Sequence, residues 1–363
     1  MSPEGAGPPG VPARYWRLEP AGRLVCELCP RSCRLRDGQR GFCHVRLRQG
    51  DRMMLETYGH STGFCIDPIE KKPLFHFLPG SGTLSFGTAG CNLACRFCQN
   101  WSTSRARSTR AASRRATPEN IARTARRLGC HSVSFTYNDP VIFLEYAVDV
   151  AQACHAEGLR TVAVTAGYIN PRPAEEFFAH MDAANVDLKA FSETFYRRMV
   201  GGHLAPVLDL LGWLHDTGRT WMELTTLLIP EANDSPRELA DLSRWVVQRL
   251  GADVPVHFSA FHPDYRWQHV PRTPRETLIR AREQARALGL RHVYTGNVVD
   301  FWGAASYCHA CGQPLILRNG YDLVQWNLRE SGRCGRCGEP CAGVFAPQPG
   351  RWGSRRMPVD IPA

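Results

Sequence analysis

The chain has 363 residues, a formal net charge of +10, 43% hydrophobic residues and 15 cysteines. Such a length can bury a large core, so one sizeable catalytic domain with small appendages is expected, not two equal halves. No apolar run is long enough to span a bilayer, and the opening "MSPEGAGPPGVPARYW" lacks the basic and apolar regions of a secretory signal. A cytoplasmic protein without a membrane partner is therefore expected, its thiols kept reduced for metals.

Residues 1–20 are rich in Gly and Pro and are expected to be disordered. A small Cys-rich module follows over residues 21–80. Its "CELCPRSCRLRDGQRGFC" holds Cys26, Cys29, Cys33 and Cys43 among the turn formers Pro30, Asp37, Gly38 and Gly41. Four thiolates at these spacings suit either a tetrahedral zinc site or an auxiliary iron–sulfur cluster.

From residue 81 to about 300 apolar strands alternate with amphipathic helices. Strands are predicted at Leu84 to Thr88, Ser132 to Thr136, Thr161 to Thr165, Val186 to Leu188, Trp221 to Leu228, Val256 to Ala260 and His292 to Thr295. Three helix starts are marked by "TPEN" at Thr117, "SPRE" at Ser235 and "TPRE" at Thr273. Each offers a hydroxyl for the N-cap and a Pro for the first turn, and Glu238 and Glu276 are placed to close capping boxes. The repeated unit gives an α/β fold with parallel strands, a partial or full (β/α) barrel whose functional residues gather at the C-terminal strand ends.

The stretch "TAGCNLACRFCQN" follows the first of these strands and places Cys91, Cys95 and Cys98 in one tight loop. A four-iron cluster needs thiolates at several corners of a cube, and such a loop supplies three. A fourth is missing nearby, which leaves one iron with an open position, the arrangement of a catalytic centre and not of a structural one.

This spacing, with Phe97 before the last cysteine, resembles the radical S-adenosylmethionine (radical SAM) superfamily. "DPIEKKPLFHFLPGSGTLSFGTAGCNLACRFCQNW", "FTYNDP", "VDLKAF", "HFSAFHPDY" and "YTGNV" are similar to the AmmeMemoRadiSam-system radical SAM enzymes, relatives of the pyruvate formate-lyase activating enzymes. The resemblance covers about Cys26 to about Phe345. It implies a [4Fe-4S] cluster whose open iron binds SAM. An electron from a flavodoxin- or ferredoxin-like donor then cleaves SAM to methionine and a 5'-deoxyadenosyl radical, which abstracts hydrogen from a substrate.

The resemblance also assigns SAM contacts strand by strand. Asn138 and Asp139 of "TYNDP" stand where relatives carry a Gly-Gly-Glu type motif for the SAM ammonium. "VTAG" offers only Thr165 and backbone groups for the ribose. In "VDLK", Asp187 and Lys189 share a face by strand alternation, Asp187 for a ribose hydroxyl and Lys189 for the SAM carboxylate. Asn233 and Asp234 cap the turn after the fifth strand, whose backbone near Ile229 faces adenine. His262 of "SAFHP" matches a position that approaches SAM.

Over residues 301–345 the alternation gives way to Cys308, Cys311, Cys334 and Cys337, two CxxC knuckles around a predicted hairpin, which is a zinc-ribbon pattern. Gly follows the second Cys of each knuckle, and Cys341 is an extra thiol. Cys65, Cys130 and Cys154 fall in or beside apolar segments and read as buried small hydrophobes. Residues 346–363 form a tail.

Three functions follow: a radical SAM oxidoreductase acting on a protein or peptide, one acting on RNA, or a non-catalytic zinc and nucleic-acid binding protein. The basic run Arg105, Arg107, Arg110, Arg114 and Arg115, with helical Arg123, Arg126 and Arg127, reads as a solvated face or an RNA patch. No aromatics interleave to stack bases.

Overall fold

The computed structural model describes residues 10–107 and 114–362. Nine strands make one sheet: β1 (Phe64–Pro68), β2 (Gly82–Phe86), β3 (Ser132–Phe135), β4 (Arg160–Thr165), β5 (Ala183–Asp187), β6 (Trp221–Leu228), β7 (Val256–Ala260), β8 (Val293–Gly296) and β9 (Met357–Val359). Their order across the sheet is β8-β7-β6-β5-β4-β3-β2-β1-β9. Strands β2 to β8 are parallel, each beside its successor, while β1 and β9 add an antiparallel edge. Because β8 and β9 are edges, the sheet is a partial barrel and not a closed ring.

The six crossovers between the parallel strands carry helices α1 (Pro118–Arg127), α2 (Leu144–Ala156), α3 (Pro171–Ala179), α4 (Ala205–Thr217), α5 (Pro236–Leu250) and α6 (Arg275–Ala287). Parallel strands covered on both faces are buried along their length, and β2, β3 and β7 are buried at every position, polar Thr83, Ser85 and His257 included. Thr117 and Ser235 cap as their sequences predict, accepting from Asn120 N at 3.2 Å and Glu238 N at 3.3 Å.

Some local expectations fail for tertiary reasons. Thr273 is not an N-cap; the cap is Pro274. The Thr273 hydroxyl instead donates to Leu228 O at 2.6 Å and accepts from Phe261 N at 3.0 Å, tying the end of β6 to that of β7. Glu238 gives a carboxylate oxygen to Phe191 N at 2.8 Å, across the barrel rim. β5 extends back to Ala183, because "AANVD" hides a buried strand behind small and polar residues.

The expected disorder over residues 1–20 does not hold for the described part of that segment. From residue 10 the chain is pinned by strand pairing, Val11–Pro12 against Met54 and Leu55, and Trp16–Leu18 against Leu24–Cys26. The barrel sheet likewise exceeds its expected limits, drawing β1 from the N-terminal module and β9 from the tail.

The part of the N-terminal module that carries Cys43 and Arg46 packs beside the C-terminal ends of the parallel strands, against Gly90 and Ile142, whereas residues 69–80 cross to their starts. Its Arg46 is 1% exposed and pairs with Glu145 of α2 at 2.6 Å. The same guanidinium donates to Ile142 O and Arg14 O. Removing one partner of a buried pair strands the other charge. Glu145→Gln is therefore expected to cost about 3–5 kcal/mol of stability, read as a lower urea midpoint. A midpoint equal to that of the native chain would mean that the pair does not anchor the module.

The C-terminal ribbon lies at the other end of the strands. Its knuckles flank the antiparallel pair Pro314–Asn319 and Asp322–Trp326. Val344 pairs with Phe77, and both sit near Trp221 and Met222 at the start of β6. Among the described residues no helix is long and apolar enough to cross a membrane.

Candidate functional site

At the C-terminal ends of the parallel strands a cavity of about 430 Å³ is lined by Cys91, Cys95, Cys98, Phe97, Asn138, Asp139, Thr165, Asp187 and Lys189. Residues from separate strand ends thus meet at one opening. The cysteine loop is held by backbone bonds from Gly90 N to Thr103 O, Ala94 N to Val200 O and Arg96 N to Met199 O. Asn92 donates from its side chain to Tyr168 O at 2.8 Å. Phe97 is buried and packs between Phe195 and Trp267, ring centroids 5.7 Å and 6.0 Å away.

Burial pushes the Cys91 thiol up to about 12, with the Asp139 charge adding to the effect, and pushes the Cys95 thiol up to about 11. Half-buried sulfurs raised in this way become thiolates when positive charge is supplied, which a metal provides. The trio's sulfurs are not gathered to within 4.8 Å of one another, the closeness seen at the ribbon. Thiolates that grip different corners of a cluster stand farther apart than thiolates closing on one ion. The donor set therefore fits a [4Fe-4S] cluster better than a single ion.

Asn138 lies beside this loop with its amide engaged. It accepts from Thr88 N at 3.1 Å and donates to Thr88 Oγ1 at 3.2 Å and Gly90 O at 2.8 Å. It clamps the chain just before Cys91. Losses at partners that orient metal ligands run to about 10–100-fold. Asn138→Ala is accordingly expected to lower SAM turnover by about 10–100-fold without abolishing it. The rate of 5'-deoxyadenosine release, compared with that of the native chain, reads this directly, and a native rate would mean that the clamp does not orient the loop.

Asp139 accepts from Thr165 Oγ1 at 2.9 Å, Val141 N at 3.2 Å and Ala166 N at 3.2 Å. Burial outweighs these bonds and holds its carboxyl up, at about 6. Asp187 and Lys189 pair at 2.8 Å. Burial opposes the lysine's charge, but Asp187 and the Cys95 sulfur outweigh it and keep the ammonium above its ordinary range. Asn233 bonds Ile229 N at 2.7 Å and Lys189 O at 2.7 Å, and so fixes the backbone that presents Lys189. Asp234 caps Glu231 N at 2.9 Å.

His262 stands apart. It is exposed, does not line the cavity, and bonds Gln99, which does, at 2.9 Å. In the arginine run, Arg110 lies outside the described residues. Arg114 pairs with Asp360 and Arg105 lies over the Phe42 ring, so part of the charge has partners within the chain.

Sequence reasoning missed one wall of the cavity. The cavity runs down inside the barrel past Thr225 and His257, and Glu70, Lys71 and Lys72 line it there together with Tyr321 of the ribbon. Asp67 is fully buried and holds Lys72 at 2.7 Å, Lys71 at 3.0 Å and the Tyr137 hydroxyl at 2.9 Å. Tyr137 adopts φ +71, a left-handed conformation that a bulky residue accepts only when its surroundings impose it. Burial raises the Glu70 carboxyl to about 7. The available signal is the run of charges in "DPIEKKP" between apolar neighbours, which a strand hides only if the charges pair.

At the ribbon, Cys308 and Cys337 sulfurs are 3.6 Å apart, and Cys311 and Cys334 are 3.7 Å apart. A tetrahedral ion with metal–sulfur bonds of about 2.3 Å has ligand edges of about 3.8 Å, so these four are spaced to suit one ion. Gly312 and Gly338, at φ +71 and +80, close the two knuckles as expected. Cys341 does not join them and lies 3.8 Å from His76 Nδ1.

A parallel α/β sheet with a three-cysteine loop at its mouth defines a cluster-bearing enzyme fold, and comparison with known proteins gives the family. Residues 86–243 match the radical SAM superfamily. The uncharacterized protein MJ0808 of Methanocaldococcus jannaschii is 39% identical over 328 residues, 90% of this chain and 97% of that protein. A pyruvate formate-lyase-activating enzyme of Clostridium pasteurianum is 24% identical over 191 residues, 51% of this chain and 76% of the enzyme. A radical SAM methyltransferase from Sphaerobacter thermophilus superposes with a TM-score of 0.46 at 21% identity, covering 66% of this chain and 71% of that structure. The chain belongs to the radical SAM superfamily.

Proposed function

We propose that the chain is a radical SAM oxidoreductase of the activase type, which abstracts a hydrogen atom from a protein or peptide. Cys91, Cys95 and Cys98 would hold a [4Fe-4S] cluster with one iron open to SAM. Bound together, cluster and SAM supply reductive cleavage to methionine and a 5'-deoxyadenosyl radical. The observation that carries this reading is the meeting of the three thiols with Asp139, Asp187 and Lys189 around one cavity.

The chain's own residues then bind, orient and exclude water. Asp139 is placed to receive an ammonium, Asp187 a ribose hydroxyl and Lys189 a carboxylate. Phe97, packed between Phe195 and Trp267, would anchor the loop that carries the half-buried sulfurs. Asn138 and Asn233 set the backbone that carries these groups. The likeness to the Clostridium pasteurianum activating enzyme supports a macromolecular substrate. The stretches from "DPIEKKPLFHF" to "YTGNV" support placement with the AmmeMemoRadiSam-system enzymes. A flavodoxin- or ferredoxin-like donor supplies the electron, and zinc occupies the ribbon, where four thiolates leave no open position.

Anaerobic reconstitution with iron and sulfide, followed by dithionite and SAM, is expected to release 5'-deoxyadenosine and methionine. An iron-loaded protein that leaves SAM intact would refute the proposal. Deuterium passing from a labelled peptide into 5'-deoxyadenosine then identifies the substrate class.

A further inference from the structure

The four N-terminal thiols remain outside the catalytic reading. None of Cys26, Cys29, Cys33 and Cys43 is in a disulfide, and all but Cys33 are buried. Every pairing among the four is close enough for the sulfurs to feel one another's charge. A Cβ added to Gly41 would lie 3.7 Å from both Cys33 Sγ and Cys43 Sγ, so these two sulfurs flank a single point. Phe42 N donates to Cys33 Sγ at 3.4 Å, the kind of amide–sulfur bond that steadies a ligating thiolate.

The spacing discriminates between metals. The ribbon sulfurs of this same chain close to 3.6 Å and 3.7 Å, the edges of a single-ion tetrahedron. The N-terminal four do not: no three of them gather within 4.8 Å. They share this wider spread with Cys91, Cys95 and Cys98. Thiols that cluster without converging on a point surround a body larger than one ion.

Their position is equally specific. Arg31, between Cys29 and Cys33, donates to Asn92 O and Gly201 O. Its guanidinium stacks 3.5 Å over the Phe42 ring, next to Cys43. Gly90, directly before Cys91, packs its Cα against the Cys43 carbonyl. The two cysteine sets are thus back to back across a shared backbone contact.

We propose that Cys26, Cys29, Cys33 and Cys43 hold a second iron–sulfur cluster, ligated by protein at every corner and set directly against the catalytic cysteine loop. With no open iron it binds no substrate, and it places a redox-capable group beside the loop of Cys91.

The full chain carrying Cys91→Ala, Cys95→Ala and Cys98→Ala together tests this. After anaerobic reconstitution with ferrous iron and sulfide it is expected to stay brown, with equal iron and sulfide, about two to four of each per chain. A colourless product, or one that takes up only zinc, overturns the proposal. Cys26→Ser with Cys33→Ser in the otherwise native chain gives an independent reading. It is expected to lose about half of the native iron while keeping the ribbon's metal, and an undiminished iron content overturns the proposal as well. Failure of the catalytic reading appears differently, as native iron that leaves SAM intact, and does not alter either count.

Discussion

Replacing any one of Cys91, Cys95 and Cys98 by alanine is expected to lower 5'-deoxyadenosine formation by well over the roughly 100-fold that marks the loss of a mere orienting partner. On the proposed reading each sulfur would serve a different corner, so no neighbour could take its place. Among the described residues the other twelve thiols lie elsewhere: four at the ribbon, four in the N-terminal module, Cys341 beside His76, Cys65 beside Asp67, and Cys130 and Cys154 buried in the core. The variants should still fold, because the loop is held by Asn92, Asn138 and backbone bonds that do not involve the sulfurs. Thermal unfolding within a few degrees of the native apo-protein, alongside lost SAM cleavage, separates a missing ligand from a collapsed loop. Turnover within tenfold of the native rate in any of the three would overturn the assignment.

What is legible in the sequence follows the range over which its signals act. The cysteine loop and each ribbon knuckle are local patterns, their cysteines three or four positions apart, and such spacings are visible in the chain alone. The strands are readable because short stretches rich in apolar and β-branched residues alternate with marked helix starts, and β6 and β7 match to the residue. Where a residue's role depends on a distant partner, the sequence is silent. Thr273 carries every mark of an N-cap, yet its hydroxyl is taken by Leu228 and Phe261. Asp67 looks like a strand-end acid and is the buried anchor of Lys72 and Tyr137, the latter 70 positions on. Asn138 suits a SAM ammonium by its type. That its amide is spent on Thr88 and Gly90 depends on how β2 and β3 sit side by side. The same limit applies to Tyr321, which enters the cavity wall from a module that reads in sequence as separate.

Gly90→Ala tests the coupling between the two cysteine sets more severely than any side-chain change. Gly90 has φ +88, and a Cβ there would fall inside the Cys43 carbonyl oxygen and against Val45, at 3.0 Å from its Cγ1. The glycine cannot step aside, since its amide bonds Thr103 O at 3.0 Å and its carbonyl takes Asn138 at 2.8 Å. Left-handed strain alone costs about 1–3 kcal/mol, and the collision with backbone adds to it. Gly129→Ala is the matched control: its φ of +72 is equally left-handed, but nothing lies within 4 Å of the added carbon. The control is expected to lose about 1 kcal/mol and keep its full iron complement. Gly90→Ala should lose stability by clearly more and retain less than half of the native iron, because the displaced backbone carries Cys91 on one side and presses on Cys43 on the other. Iron and sulfide content after gel filtration, with urea midpoints for both variants, measures this. Equal iron in the two would mean that the cysteine sets do not depend on that contact.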